Sequence, residues 1–201
     1  WTTTTTGFGA STIRSRSSSV DGSAHVALEL LVMIAAHFQA DFAQRCRGRA
    51  FGYEIDDAAG LALASQYNGE DRVALCFMGD GALNEGEFHE SMNLAAVWKL
   101  PVIFFCENNL YGMGSHVERS RAGGKDIYLA ADAYRMPARQ IDGMDVLAVR
   151  EATTKALARV RSGGGPVFLE AMTYRWMEHC GPNNNDVQFG LRPEDEYNTW
   201  L

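Results

Sequence analysis

Apolar and polar positions change rhythm along this chain. From residue 58 onward, short unbroken apolar runs alternate with longer stretches in which apolar residues recur every three or four positions. Residues 58–67 are small and Ala-rich, which predicts a helix able to pack close to a sheet, and Asn68-Gly69 closes it as these residues do at helix C-termini. Residues 73–78 are continuously apolar, the pattern of a strand buried on both faces, and Gly79-Asp80-Gly81 turns away from it. A helix is predicted over 85–98, with Phe88, Met92, Ala95 and Ala96 on one side; Met92 and Trp98 read as core. Residues 101–106 (PVIFFC) predict a second buried strand, followed by a polar loop Glu107-Asn108-Asn109. A short strand over 138–141, a helix capped by Asp145 and running to Arg161, a Gly-rich break at 163–166 and a strand over 167–172 complete the series. Strand–helix–strand alternation of this kind predicts an α/β fold, a doubly wound and mostly parallel sheet with helices on both faces.

The first 51 residues do not share this rhythm. Thr2 to Thr6 is a homopolymer run, and residues 11–19 are Ser-rich with Arg14 and Arg16. Such segments bury too little apolar surface to offset chain entropy. The Ser/Arg-rich, acid-poor composition faintly resembles a transit peptide, and a non-native leader or a misread frame accounts for it at least as well. Residues 25–42 carry Leu28, Leu31, Val32 and Ala35 at helical spacing. The expected organisation is a Ser/Thr-rich leader with a possible helix over 1–51 and one domain over 52–201.

Composition narrows the function classes. The chain has 201 residues, 46% of them hydrophobic, and a net charge of −7, which argues against a general nucleic-acid binder. Residues 1–53 hold three of the 25 acidic and five of the 18 basic residues, so the acidity belongs to the domain that follows. No apolar run reaches the roughly 18–20 residues of a membrane span. The four cysteines, Cys46, Cys76, Cys106 and Cys180, form no C-x-x-C pair, which removes zinc-knuckle and thioredoxin-type readings and points to a reduced compartment.

The chemistry lies where the strands end, the place at which open parallel sheets bind ligands. Glycines at 79 and 81 let backbone N–H groups approach a phosphate, and a helix start favours negative charge. Asp80 in that turn would repel a bare phosphate unless a divalent cation lay between them, and Mg²⁺ takes hard oxygens of this kind. Asn109 and the backbone carbonyl of Tyr111 would supply two more; with two diphosphate oxygens and a water they complete an octahedral oxygen site. A Gly-Asp-Gly turn is common by itself, and so is an Asn pair. Each directly follows a buried strand, however, and the 26 residues between Gly81 and Asn108 hold one crossover helix and one strand, which sets the two motifs on adjacent strands.

These residues resemble the thiamine diphosphate motif. The wording GDGALNEGEFHESMNLAAVWKLPVIFFCENNLYGMGSHVERS, extended by IDGMDVLAVREAT and GPVFLEAMTYRWMEHCGP, is similar to the alpha chain of 2-oxo acid dehydrogenase E1 components, in the pyruvate and acetoin branch. The similarity runs from about residue 52 to 201. It implies the thiamine diphosphate-binding fold, apparently truncated here. It also implies Mg²⁺ held by Asp80, Asn109 and the Tyr111 carbonyl, and the diphosphate held at Gly79, Asp80, Gly81 and Ala82. His179 matches a family histidine near the diphosphate and the reacting carbon, able to orient substrate or assist proton transfer; on its own it reads more readily as a solvated loop histidine, and the family match reverses that. His25, His37, His89 and His116 have no such match.

The resemblance further implies oxidative decarboxylation of a 2-oxo acid, pyruvate favoured, with acyl transfer to a lipoyl-bearing E2 protein. The carboxylate that activates the cofactor would come from an E1 beta chain in an α2β2 assembly, in bacterial cytoplasm or the mitochondrial matrix. The chain departs from the family in several places. An upstream aromatic–Arg element and a Gly-rich approach to the first helix are absent from residues 1–50, and Glu54, Asp56 and Asp57 replace mostly apolar or small residues. Cys180 stands at the family's regulatory serine, which argues against kinase control there. Three other readings stay open. One is a thiamine enzyme of the transketolase or acetohydroxyacid-synthase type, against which NNLYGM and DGMD argue. Another is a non-catalytic fragment of an E1 alpha chain. The last is a nicotinamide-binding domain, for which Gly79 to Asn84 lacks the third glycine.

Overall fold

The structure, a computed structural model, describes residues 53–181, 183 and 185–199. The leader and the helix expected over 25–42 lie outside the described residues. Four parallel strands form one sheet in the order β1-β2-β6-β5: β1 is Ala74–Gly79, β2 Val102–Asn108, β5 Ala138–Asp142 and β6 Val167–Met172. Helix α1 (Tyr53–Tyr67) leads into β1, and α2 (Gly86–Trp98) connects β1 to β2. A two-stranded hairpin, β3 (Tyr111–Gly112) and β4 (Ser115–His116), and a short helix α3 (Val117–Ser120) follow β2. A 3₁₀ segment, Ile127–Tyr134, precedes β5, and α4 (Val146–Arg161) returns the chain to β6. Two short helices, α5 (Asn185–Gln188) and α6 (Glu194–Thr199), close the described chain.

Strand alternation divides the core in two. Cys76, Met78, Phe104, Cys106 and Phe168 face α1 and α2, meeting Ile55, Ala62, Phe88 and Met92. Ile103, Phe105, Leu169 and Ala171 face the opposite way, onto Val149, Ala152, Ala156 and Val160 of α4. The doubly wound parallel sheet is therefore present, and both strand cysteines are buried as small hydrophobes.

Three local expectations change. Helix α1 begins at Tyr53 rather than residue 58, because Ile55, Ala58, Ala59 and Ala62 bury one stripe at helical spacing. Asp56, on that helix, accepts a hydrogen bond from the Ser91 hydroxyl of α2, which gives this unexpected acid a partner. β2 runs through Glu107 and Asn108, both buried, so the polar loop starts only at Asn109. Trp98, read as core, is 45% exposed at the end of α2, whereas Met92 is fully buried. Asp145 caps α4 as expected, its side chain accepting from the Leu147 N–H at 2.8 Å. Just before it, Gly143 crosses β6 so closely that a Cβ would lie 2.7 Å from Thr173 Cγ2 and 2.8 Å from the Met172 carbonyl oxygen.

Candidate functional site

The register of the sheet brings the two motifs together. Gly79, the last residue of β1, pairs with Glu107 of β2, so Asp80 and Asn109 leave adjacent strands at nearly the same level. Asp80 opens a 3₁₀ turn over Asp80–Asn84. Its carboxylate is 3% exposed, accepts from its own N–H and from that of Asn109, and keeps Oδ2 without a hydrogen-bond partner. Burial pushes the Asp80 pKa up, while those N–H groups and the guanidiniums of Arg175 and Arg192 pull it back. Gly81 meets Gly112 of the hairpin backbone to backbone: a Cβ on either would lie 3.2 Å from the other's Cα. The Gly-Asp-Gly turn and the hairpin after β2 thus lie against each other at the carboxyl ends of adjacent strands.

The two asparagines divide their work. Asn108 is fully buried; its Oδ1 accepts from Leu110 N–H at 2.9 Å, and its Nδ2 donates to Glu170 Oε1 at 2.6 Å and to the Lys125 carbonyl at 3.1 Å. Glu170 also accepts from Ile127 N–H, Tyr128 N–H and Gln140 Nε2, so this carboxylate ties β6 to β2, β5 and the 3₁₀ segment. Asn109 instead turns toward the hairpin and the segment beyond β6. Its Oδ1 accepts from Tyr111 N–H at 3.3 Å and from Arg192 Nη2 at 3.0 Å, and its carbonyl accepts from the same Nη2 at 3.1 Å.

His179 lies in a turn beyond β6, half-buried, with Nδ1 3.5 Å from Arg175 Nη1. Burial and the Arg175 charge lower its pKa against the opposing pull of Asp186, which keeps the ring neutral at pH 7. Arg175 donates to the Met113 carbonyl at 3.0 Å and pairs with Asp186 at 2.7 Å. Asp186 also faces Arg192 at 3.7 Å, and the Arg192 guanidinium stacks 4.1 Å from the Tyr111 ring centroid. A continuous chain of contacts therefore runs from His179 through Arg175, Asp186 and Arg192 to Asn109. The sequence reading missed Arg175, Asp186 and Arg192. Arg175 follows β6 closely and could have been found from its place near a strand end. Asp186 lies in the single-turn helix α5 and Arg192 just beyond it, in a polar stretch with no local signal.

The residues present fit a divalent cation. Asp80 Oδ2 is a buried hard oxygen without a partner, and the Gly81–Gly112 contact leaves backbone in place of side chains beside it. Among the described residues, no group of three or more His, Cys, Asp or Glu side chains could hold a metal, so amide, carbonyl and ligand oxygens would have to complete the shell. Asn109 Oδ1 already accepts two hydrogen bonds, and ligation there requires one of them to be released.

The fold defines an α/β module in which the turn after β1 and the hairpin after β2 lie side by side at the strand ends. Residues 49–200 match the family described as dehydrogenase E1 component. The mitochondrial somatic-form pyruvate dehydrogenase E1 component subunit alpha of Pan troglodytes is 52% identical over 145 residues, 71% of this chain and 36% of that protein. The corresponding Homo sapiens subunit is 52% identical over 128 residues, 64% of this chain and 32% of that protein. The pyruvate dehydrogenase E1 component subunit alpha of Rhizobium meliloti is 46% identical over 128 residues, 64% of this chain and 36% of that protein. The chain thus spans about a third of the length of these relatives. The X-ray structure of a proposed thiamin diphosphate-dependent enzyme from Mycobacterium smegmatis shares the fold, with a TM-score of 0.50 and 24% identity, over 62% of this chain and 22% of that one. The chain belongs to the dehydrogenase E1 component family, a thiamine diphosphate-dependent family.

Proposed function

We propose that this chain carries the diphosphate- and Mg²⁺-binding part of a pyruvate dehydrogenase-type E1 alpha subunit. The observation that carries the reading is the pairing of Asp80, with its buried unpartnered oxygen, and Asn109 at the ends of adjacent parallel strands. When bound, thiamine diphosphate supplies the carbanion chemistry by which a 2-oxo acid loses carbon dioxide. Asp80, Asn109 and the Tyr111 carbonyl would hold Mg²⁺, and the backbone of Gly79, Gly81 and Ala82 would face the diphosphate. His179, kept neutral by burial and Arg175, would accept or return a proton near the reacting carbon. The substrate is a 2-oxo acid, pyruvate first, and the partners are an E1 beta chain in an α2β2 assembly and a lipoyl-bearing E2 protein. The compartment would be the mitochondrial matrix or the bacterial cytoplasm, a reading supported by similarity to a mitochondrial subunit and to one from Rhizobium meliloti.

Calorimetric titration with thiamine diphosphate, with and without Mg²⁺, tests the site. Mg²⁺-dependent binding that Asp80→Asn abolishes supports it; binding indifferent to both removes it. Co-expression with a beta chain, followed by pyruvate-dependent reduction of an artificial electron acceptor, tests the activity. No turnover of any 2-oxo acid even when the cofactor binds would overturn the activity and leave the site standing.

A further inference from the structure

We propose that a basic cavity at the amino-terminal edge of the sheet, opposite the Gly-Asp-Gly turn, binds a small organic phosphate. The cavity measures about 420 Å³ and lies where α2, the 3₁₀ segment and α4 end and where β5 and β6 begin. Lys99, Arg135 and Arg159 line it together with the Asn93 amide, and no Asp or Glu does. None of the three cations forms an ion pair among the described residues. In a chain of net charge −7, three unpaired cations around one cavity are a local reversal of sign.

Helix capping does not account for them. Lys99 caps α2 and Arg135 caps the 3₁₀ segment through backbone N–H groups, which donate to Ala95 and Ala96 and to Ala131 and Asp132. Both residues are left-handed, at φ 51° and φ 52°, where glycine is the usual occupant. The chain thus holds a cation at two positions whose backbone favours glycine. Each helix end contributes roughly half a negative charge, so the three side chains leave the cavity net positive. Arg159 spends one donor on the Gly164 carbonyl at 2.7 Å, which anchors its guanidinium at the rim and leaves its other donors available.

Guanidinium forks match phosphoryl oxygens. Val97, Pro137 and Pro166 provide apolar wall for a compact organic body, and the volume lies in the range of about 300–1,000 Å³ of small-ligand sites. The ligand class is therefore a phosphomonoester with a small apolar or aromatic body.

The test uses the full chain saturated with Mg²⁺ and thiamine diphosphate, with phenyl phosphate and inorganic phosphate as calorimetric probes. Phenyl phosphate should bind once per chain and more tightly than inorganic phosphate. Arg135→Gln/Arg159→Gln should weaken it about tenfold or more, Lys99→Gln less, and added salt should weaken it further. These residues are exposed, and an unchanged melting temperature certifies the variants. Raising the thiamine diphosphate concentration further should leave the binding as it is. The proposal falls if neither probe saturates by about 10 mM, if the double variant binds as well as the parent, or if excess thiamine diphosphate displaces the probe. It falls equally if assembly with a beta chain buries these arginines in a protein contact and no phosphate binds.

Discussion

Asp80 and Glu107 are two carboxylates at one level of the sheet, and both lose water on folding. Asp80 is compensated by N–H groups and by two guanidiniums, whereas Glu107 receives nothing but desolvation and its pKa rises to about 8. Removing the Asp80 charge should accordingly leave the cofactor-free chain as stable or more stable, while Mg²⁺-dependent affinity falls on the order of a hundredfold or more, about 3 kcal/mol. Paired melting curves and titrations of Asp80→Asn check this; a variant that loses stability and affinity together would make Asp80 a structural residue. Glu107 is protonated in the fold and ionised in the unfolded chain between its ordinary 4.5 and about 8, so stability drains away as pH rises through that window and is level above it. Glu107→Gln cannot ionise. It should match the parent near pH 4.5 and exceed it by roughly 2–4 kcal/mol at pH 8, measured by denaturant unfolding without cofactor. Equal pH slopes in the two proteins would show that Glu107 ionises freely.

Elements whose signals are local were legible before the fold was seen. β6 spans 167–172 as read, and Asp145 caps α4 because an Asp at that position satisfies the Leu147 N–H whatever else surrounds it. Asp145→Ala should cost about 1 kcal/mol of stability and leave the Gly-Asp-Gly turn intact. Glu107 and Asn108 were read as loop because polarity at a strand end ordinarily means solvent. Here β2 is central and covered on both faces, and Asn108 has a buried partner 62 residues away in Glu170. No local pattern encodes such a partner. Arg192 is the same case at greater distance, since its bonds to Asn109 span 83 residues. Trp98 misled in the opposite sense: an aromatic at helical spacing reads as core, yet α2 ends there and leaves the ring at the surface. Backbone contact between elements was equally hidden. Gly112→Ala must push the hairpin from the Gly81 turn across a 3.2 Å contact. The expected result is weaker diphosphate binding with a small change in melting temperature.

At the scale of the whole molecule, the proposed site draws on three stretches far apart in sequence. These are the turn after β1, the hairpin after β2, and the segment from Arg175 to Arg192 beyond β6. The first two meet through Gly81 and Gly112, and the third joins them only through side chains, by way of Arg175 on the Met113 carbonyl and Arg192 on Asn109. Ligand binding that stabilises the folded state should reach all three at once. Hydrogen exchange reads this directly. Without cofactor, amides of β2 and β6 should exchange slowest, because both strands are buried almost throughout and paired on two sides. Those of β1, which has no further strand beside it among the described residues, should exchange faster. Adding Mg²⁺ and thiamine diphosphate should slow exchange around Gly81, around Tyr111 and in the His179 turn together, with one shared midpoint. Slowing confined to the first two stretches would place the cofactor at the ends of β1 and β2 and His179 outside its reach, and the proton-transfer role would then belong to another residue.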